Sequence, residues 1–325
     1  MLGAGAWGTA LAQVAAAAGR DTLIWALEPE VVQAINERQE NALYLPGLAL
    51  NAAVRATGSL GAAANAELIL AAPPAQHMRS VLKTLAPALK RGAPVVLCAK
   101  GIERGTQALM TDVATAEIPN AQHAVLSGPG FAKDVARGLP TATTIACADD
   151  ALAQRVVATI GLPTFRPYVA DDLIGAEIAG SVKNVIAIAC GVAEGRQLGD
   201  GARAALITRG FAEMTRLGLA LGAKAETLNG LSGLGDLVLT CASTNSRNTS
   251  LGVALGQGRA LKDILAERRS VAEGAETAPA LVALAAKHKI EMPICAAVDD
   301  ILAGRVSIDD AIRALLSRPF RAEGA

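Results

Sequence analysis

The sequence predicts an α/β chain: a doubly wound, mostly parallel sheet in the N-terminal part and an all-α C-terminal part. Three observations carry that expectation. Gly3, Gly5 and Gly8 form G-x-G-x-x-G at the head of a helical stretch that a strand follows, which is the setting of a Rossmann-type fold. Short apolar runs then alternate with helical stretches as far as Asp172, the pattern of parallel strands joined by crossover helices. Beyond Leu173 no convincing strand remains. Two domains are expected, residues 1–172 and 173–325, since 325 residues are long for one core.

The first helix runs to Ala18 and stops at Gly19, and Thr22–Ala26 reads as the next strand. In this setting Gly3 makes the tight turn, Gly5 lets backbone approach a pyrophosphate, and Gly8 allows close helix packing, with the helix N-terminus facing the phosphates. A glycine turn of purely structural use is the alternative. The strand that should precede Gly3 is reduced to Met1 and Leu2, where a buried parallel strand takes about 5 residues. A shortened first strand is therefore expected, from a start placed too far downstream or from truncation. After the second strand, an acid selects the ribose 2′-OH of NAD and a base the 2′-phosphate of NADP. Ala26 holds that position by count, Leu27 is not basic and Glu28 is a nearby acid that could reach the ribose, so the choice stays open.

A helix over Pro29–Gln39, an irregular loop over Asn41–Gly47 and a short strand near Val54–Ala56 come next. Three strands then end in groups suited to chemistry: Glu67–Ala72 before Pro73, Pro94–Ala99 before Lys100-Gly101, and Ala124–Leu126 before Ser127-Gly128-Pro129-Gly130. A helix over Gln76–Leu89 separates the first two. Ligands of open parallel sheets bind outside the carboxyl ends of strands, which sets Lys100 apart from a solvated loop lysine. Thr141–Ala146 and Thr164–Pro167 are further strands.

Helices fill the rest: Leu173–Gly191, Arg203–Leu221, Ser250–Leu255, Leu261–Arg268, Thr277–His288, Pro293–Ala303 and Ile308–Leu316, the last opened by a capping-box-like Ser307 and Asp310. Lys183 sits mid-way along the first, amid apolar and small residues. Burying an ammonium costs several kcal/mol unless it is paired, and burial lowers its pKa toward neutrality. Lys183 is thus a candidate acid/base; snorkelling, or a structural pair with Glu177 or Asp236, are the other readings. Asn229–Asp236 is a glycine-rich turn in which Asp236 either caps the following helix or positions Lys183. Ser246-Arg247-Asn248 ahead of a helix is the set that grips a phosphate, against plain capping beside an exposed arginine.

Composition removes other classes. The chain is 52% apolar and 18% charged, with thirty basic and thirty acidic residues, so a nucleic-acid or membrane-surface role has no electrostatic support. No apolar run reaches the ~20 residues of a membrane span free of charge or punctuation, and no signal peptide precedes Gly3; a cytoplasmic location is expected. Five dispersed cysteines and three isolated histidines suggest neither disulfides nor a metal site.

Taken in order, Gly3–Ala12, Lys100–Glu103, Ser127–Pro129, Phe131–Lys133, Gly138–Thr141, Val182–Ala187, Gly233–Leu237, Ser246–Asn248 and Glu273-Gly274 resemble the bacterial NAD(P)-dependent glycerol-3-phosphate dehydrogenases over essentially the whole chain. The resemblance implies NAD(P)H, no metal, reduction of dihydroxyacetone phosphate to sn-glycerol 3-phosphate for phospholipid synthesis, and a homodimer. It implies Lys183 as proton donor/acceptor, aided by Lys100 and Asp236, with Gly128, Gly130, Asn184, Ser246, Arg247 and Asn248 at the substrate. Cofactor contacts are implied at Gly3, Gly5, Ala6, Trp7, Gly8, Leu27, Glu28, Lys100, Ala132, Arg247, Val271 and Glu273. Two departures stand out: Gly130 where the family has a hydroxyl, and Leu27 where it often has a base. Another two-domain β-hydroxyacid or phosphogluconate-type dehydrogenase, or a non-catalytic dinucleotide-binding protein, are the competing readings.

Overall fold

The computed structural model describes residues 1–267 and 272–320. The chain divides into two compact units, one of residues 1–100 and 108–177, the other of residues 101–107 and 178–325.

The first unit carries α1 (Ala6–Ala17), β1 (Thr22–Trp25), α2 (Pro29–Arg38), β2 (Val54–Thr57), α3 (Leu60–Ala63), β3 (Ile69–Ala71), α4 (Ala75–Leu85), β4 (Pro94–Leu97), α5 (Met110–Glu117), β5 (Gln122–Ser127), α6 (Ala132–Ala136), β6 (Thr141–Ala146), α7 (Asp150–Ile160) and β7 (Phe165–Ala170). Strands β3 to β7 lie side by side in chain order, and β1 pairs with β2. All pairs are parallel except β5 with β6. The expected doubly wound, mostly parallel sheet is present.

What was expected as a shortened first strand is a single residue. Leu2 bridges Trp25 on one side and Ala71 on the other, both in parallel. Its N–H donates to the Leu70 carbonyl at 2.8 Å and its carbonyl accepts from Ala72 at 2.9 Å, while Gly3 N–H donates to Trp25. Leu2, together with the Met1 carbonyl that accepts from Trp25 N–H at 2.8 Å, closes the ladder between β1 and β3, which spares both strands an unpaired edge.

Alternation along the strands fills two cores. Leu70, Val96, Ala124 and Leu126 point to the face that holds α1 and α7. Ile69, Ala71, Val95, Leu97 and Val125 point to the opposite face with α4 and α5. Helices on both faces explain why these strands read as continuous apolar runs.

From α8 (Leu173–Gly195) the described chain is helical: α9 (Asp200–Ala220), α10 (Ala225–Asn229), a π-turn at Leu231–Gly235, α11 (Asp236–Cys241), α12 (Arg247–Gly256), α13 (Leu261–Ala266), α14 (Glu273–Lys287), α15 (Pro293–Leu302) and α16 (Ile308–Leu316). By length and composition alone α8 is long and apolar enough to cross a membrane, yet Glu177 and Lys183 interrupt its apolar run and most of it is buried inside the fold. It is the core helix, and it packs backbone to backbone on α12. A Cβ on Gly191 would lie 2.1 Å from the Thr249 carbonyl oxygen, and one on Gly252 2.1 Å from that of Ile188. Only glycine permits this approach.

Candidate active site

In the first unit, the turn after Leu2 has the geometry a dinucleotide needs. Gly3 has φ +90°, and a Cβ on Gly8 would lie 1.9 Å from the Gly3 carbonyl oxygen, so α1 packs directly on the turn. A Cβ on Gly5 would meet nothing within 4 Å. The helix N-terminus therefore opens onto free space lined by backbone N–H groups, which fits a pyrophosphate. Ala6 and Trp7 form the first turn of α1.

Lys100, just beyond β4, donates from Nζ to the Gly128 carbonyl at 2.9 Å and lies 6.0 Å from the Trp7 ring. Gly128 is held at φ +143°, with Thr143 Cα only 2.9 Å from where its Cβ would be. Gly130 borders the same group: a Cβ there would contact Thr141 Cγ2 and Val135 Cγ2 at 3.3 Å and the Trp7 ring at 3.7 Å. Ala132 opens α6. The structure thus gathers Trp7, Lys100, Gly128 and Gly130. Leu27 and Glu28 stand apart from them at the end of β1, Leu27 76% exposed. The Glu28 carboxylate accepts from the Tyr44 hydroxyl at 2.7 Å, and burial followed by that bond raises the Tyr44 pKa to about 12.

In the second unit, Lys183 is buried and does not snorkel. Its Nζ donates to Asp236 Oδ1 at 2.7 Å and to Thr240 Oγ1 at 2.8 Å, and the Thr240 hydroxyl lies 3.3 Å from the same carboxylate oxygen. Of the two partners considered for Lys183, the acid is Asp236. Glu177 is engaged elsewhere, accepting from the N–H and hydroxyl of Thr111 at 2.9 and 2.5 Å.

Asp236 is not an N-cap. The Gly235 N–H bonds to the Gly230 carbonyl five residues back, and Gly235 has helical dihedrals, φ −59° and ψ −49°. The π-turn therefore runs straight into α11, with Gly235 at the cap position and Asp236 as the first residue of the helix. Gly233 is required here, since a Cβ would lie 1.8 Å from the Leu228 carbonyl oxygen. A π-turn beside a reactive group is a recurrent arrangement.

Ser246 does cap α12, its Oγ accepting from the Thr249 N–H at 3.2 Å. Arg247 and Asn248 are the first two residues of that helix, Arg247 exposed and Asn248 buried. The Asn248 amide donates to Asn184 Oδ1 at 2.9 Å and accepts from the Gly274 N–H at 2.9 Å, so it ties α12 to α8 and to the start of α14, where Glu273 sits. Val271 lies outside the described residues.

The residues missed from sequence are Thr240, Thr249 and Tyr44. Thr240 was within reach, because it is four residues after Asp236 on one helix and shares its face. Among the described residues no group of three or more His, Cys, Asp or Glu is placed to hold a metal.

Two family models match the chain: the NAD-dependent glycerol-3-phosphate dehydrogenase N-terminus over residues 1–153 and the C-terminus of the same family over residues 172–313. The chain is 60% identical over 323 residues to the NAD(P)+-dependent glycerol-3-phosphate dehydrogenase of Parvibaculum lavamentivorans, covering 99% of this chain and 97% of that one. It is 58% identical over 325 residues to the enzyme so named from Maricaulis maris, covering 100% and 98%. The crystal structure of glycerol-3-phosphate dehydrogenase from Coxiella burnetii superposes with a TM-score of 0.94 at 39% identity, covering 98% of each chain.

Proposed function

The chain belongs to the NAD-dependent glycerol-3-phosphate dehydrogenase family, and from that premise we propose that it reduces dihydroxyacetone phosphate to sn-glycerol 3-phosphate with Lys183 as proton donor. It is an NAD(P)-dependent dehydrogenase acting on a CH–OH group. The observation that carries the mechanistic reading is the buried Lys183–Asp236–Thr240 cluster.

Gly3, Gly5, Ala6, Trp7 and Gly8 would hold the pyrophosphate end of NAD(P)H, with Ala132, Arg247 and Glu273 as further contacts; when bound, the nicotinamide supplies the hydride for C2. Lys183 gives the proton to the C2 oxygen as negative charge develops there, a contribution typically worth ~10²–10⁴ in rate. Asp236 fixes the Nζ position and offsets the cost of burying the charge. Thr240 orients Nζ from a second side. Ser246, Arg247 and Asn248 hold the substrate phosphate, and Lys100, Gly128 and Asn184 its carbonyl end. Binding energy from the phosphate then serves to orient C2, away from where it is gained.

On this reading the chain's partners are dihydroxyacetone phosphate, sn-glycerol 3-phosphate and a second copy of itself. Its product feeds glycerophospholipid synthesis, and its buried thiols suit a reducing cytoplasm. The test is the rate of NADH and NADPH oxidation with dihydroxyacetone phosphate, for the native chain and for Lys183→Ala. Turnover lost by orders of magnitude in the variant, with folding and cofactor binding kept, supports the reading; near-normal turnover ends Lys183's role.

A further inference from the structure

Thr249, the third residue of α12, is completely buried. At the third position of α12 there is no carbonyl four residues back within the helix for its hydroxyl to bond. The bond goes elsewhere. Thr249 Oγ1 donates at 2.7 Å to the carbonyl of Thr240 on α11. That carbonyl belongs to the last turn of α11, where carbonyls have no partner within the helix.

The same residue touches two other parts of the unit. Its N–H is the group capped by Ser246 Oγ at 3.2 Å, and its own carbonyl is the one against which Gly191 of α8 packs. The hydroxyl of Thr240, in turn, accepts from Lys183 Nζ at 2.8 Å. One buried side chain therefore joins the end of α12 that carries Ser246, Arg247 and Asn248 to the residue that orients Lys183.

We infer that Thr249 is a positioning residue: its hydroxyl holds the last turn of α11 so that Thr240 Oγ1 stays on Lys183 Nζ. The inference rests on the reading of Lys183 as proton donor. Without that hydroxyl the Thr240 carbonyl is left buried and unsatisfied, α11 shifts to regain a partner, and Thr240 Oγ1 withdraws from Nζ. An acceptor on Nζ favours the ammonium, so its loss lowers the Lys183 pKa.

The experiment compares Thr249→Val, which keeps the shape and removes the donor, with Thr249→Ser, which restores it. For Thr249→Val, kcat with dihydroxyacetone phosphate is expected to fall about tenfold, and the limb of the kcat–pH profile that belongs to Lys183 to move to lower pH. Affinity for NADH should be unchanged, and Thr249→Ser should return both kcat and profile. A folded Thr249→Val with the native kcat and native profile overturns the inference. If that variant does not fold, Thr249→Cys, with a weak S–H donor, takes its place; a kcat near native for Ser but lower for Cys supports the role, and equal values for all three overturn it. Lys183→Ala, run alongside, separates the two ideas. Near-normal turnover there removes the premise and the inference together, whereas an inactive Lys183→Ala beside an unaffected Thr249→Val sinks the inference alone.

Discussion

Lys183 Nζ and Asp236 Oδ1 meet at 2.7 Å with side-chain exposures of only 9% and 1%. Such a pair gains little over an apolar pair of the same shape, because both ions have left water. Removing one member is costly, since the other is stranded. Asp236→Asn is therefore expected to lose about 3–5 kcal/mol of stability and to lower kcat by roughly 10² or more. The double variant Lys183→Met, Asp236→Leu should recover most of that stability while staying inactive. Urea midpoints and kcat for both variants decide the matter; a double variant as unstable as Asp236→Asn refutes the account of the pair.

The crossing of α8 and α12 sets the position of the end of α12 that bears Ser246, Arg247 and Asn248, the residues proposed to hold the substrate phosphate. A Cβ on Gly191 would lie 2.1 Å from a backbone oxygen rather than from a side chain that can turn aside. Gly191→Ala should therefore cost more than the ~1–3 kcal/mol of an ordinary overpacked core, and surviving enzyme should show a raised KM for dihydroxyacetone phosphate. Gly201→Ala, with nothing within 4 Å of the new carbon, is the control and should leave both unchanged.

How much of this was legible follows from what each feature depends on. The sheet and most helices were legible because apolar alternation and glycine or proline punctuation are local. The pairing of Lys183 was legible as a need, since a lysine inside α8 requires an acid, and only two acids were considered. Which of them it takes depends on the π-turn over Leu231–Gly235, whose backbone register no periodicity encodes. Thr249 was illegible for a similar reason: its hydroxyl finds the Thr240 carbonyl across the contact of α12 with α11, which no local pattern encodes. Leu2 had too few neighbours to display any period, yet hydrogen bonds on both sides make it part of the sheet.

Glu177 gives a pH signature distinct from that of the Lys183–Asp236 pair. Burial, partly opposed by the two bonds from Thr111, raises its pKa from 4.5 to about 7. Between those values the folded chain holds a proton that the unfolded chain has released, so this group's contribution to stability is full below about pH 4.5 and is lost as pH rises through 7. Glu177→Gln stays neutral throughout. Its stability relative to the native chain should rise between pH 5 and pH 8, by an amount on the order of 3 kcal/mol at most. Denaturant melts at the two pH values measure it, and an equal difference at both would show that Glu177 does not titrate in this window.

Cofactor choice should turn on Leu27. It follows β1 and is 76% exposed, so a longer polar side chain enters without disturbing a core. The neighbouring Glu28 carboxylate already holds the Tyr44 hydroxyl at 2.7 Å, which gives it a fixed direction. Leu27→Arg would bring a guanidinium to the side on which a 2′-phosphate is received, through a charge-assisted bond worth roughly 1.5 kcal/mol. The ratio of kcat/KM for NADPH to that for NADH is then expected to rise about tenfold, chiefly through a lower KM for NADPH. Because the added attraction is between a guanidinium and a phosphate in contact with water, the gain should shrink as salt is raised. A ratio unmoved at low salt would mean that the 2′ position lies away from residue 27, and that neither Leu27 nor Glu28 governs the choice.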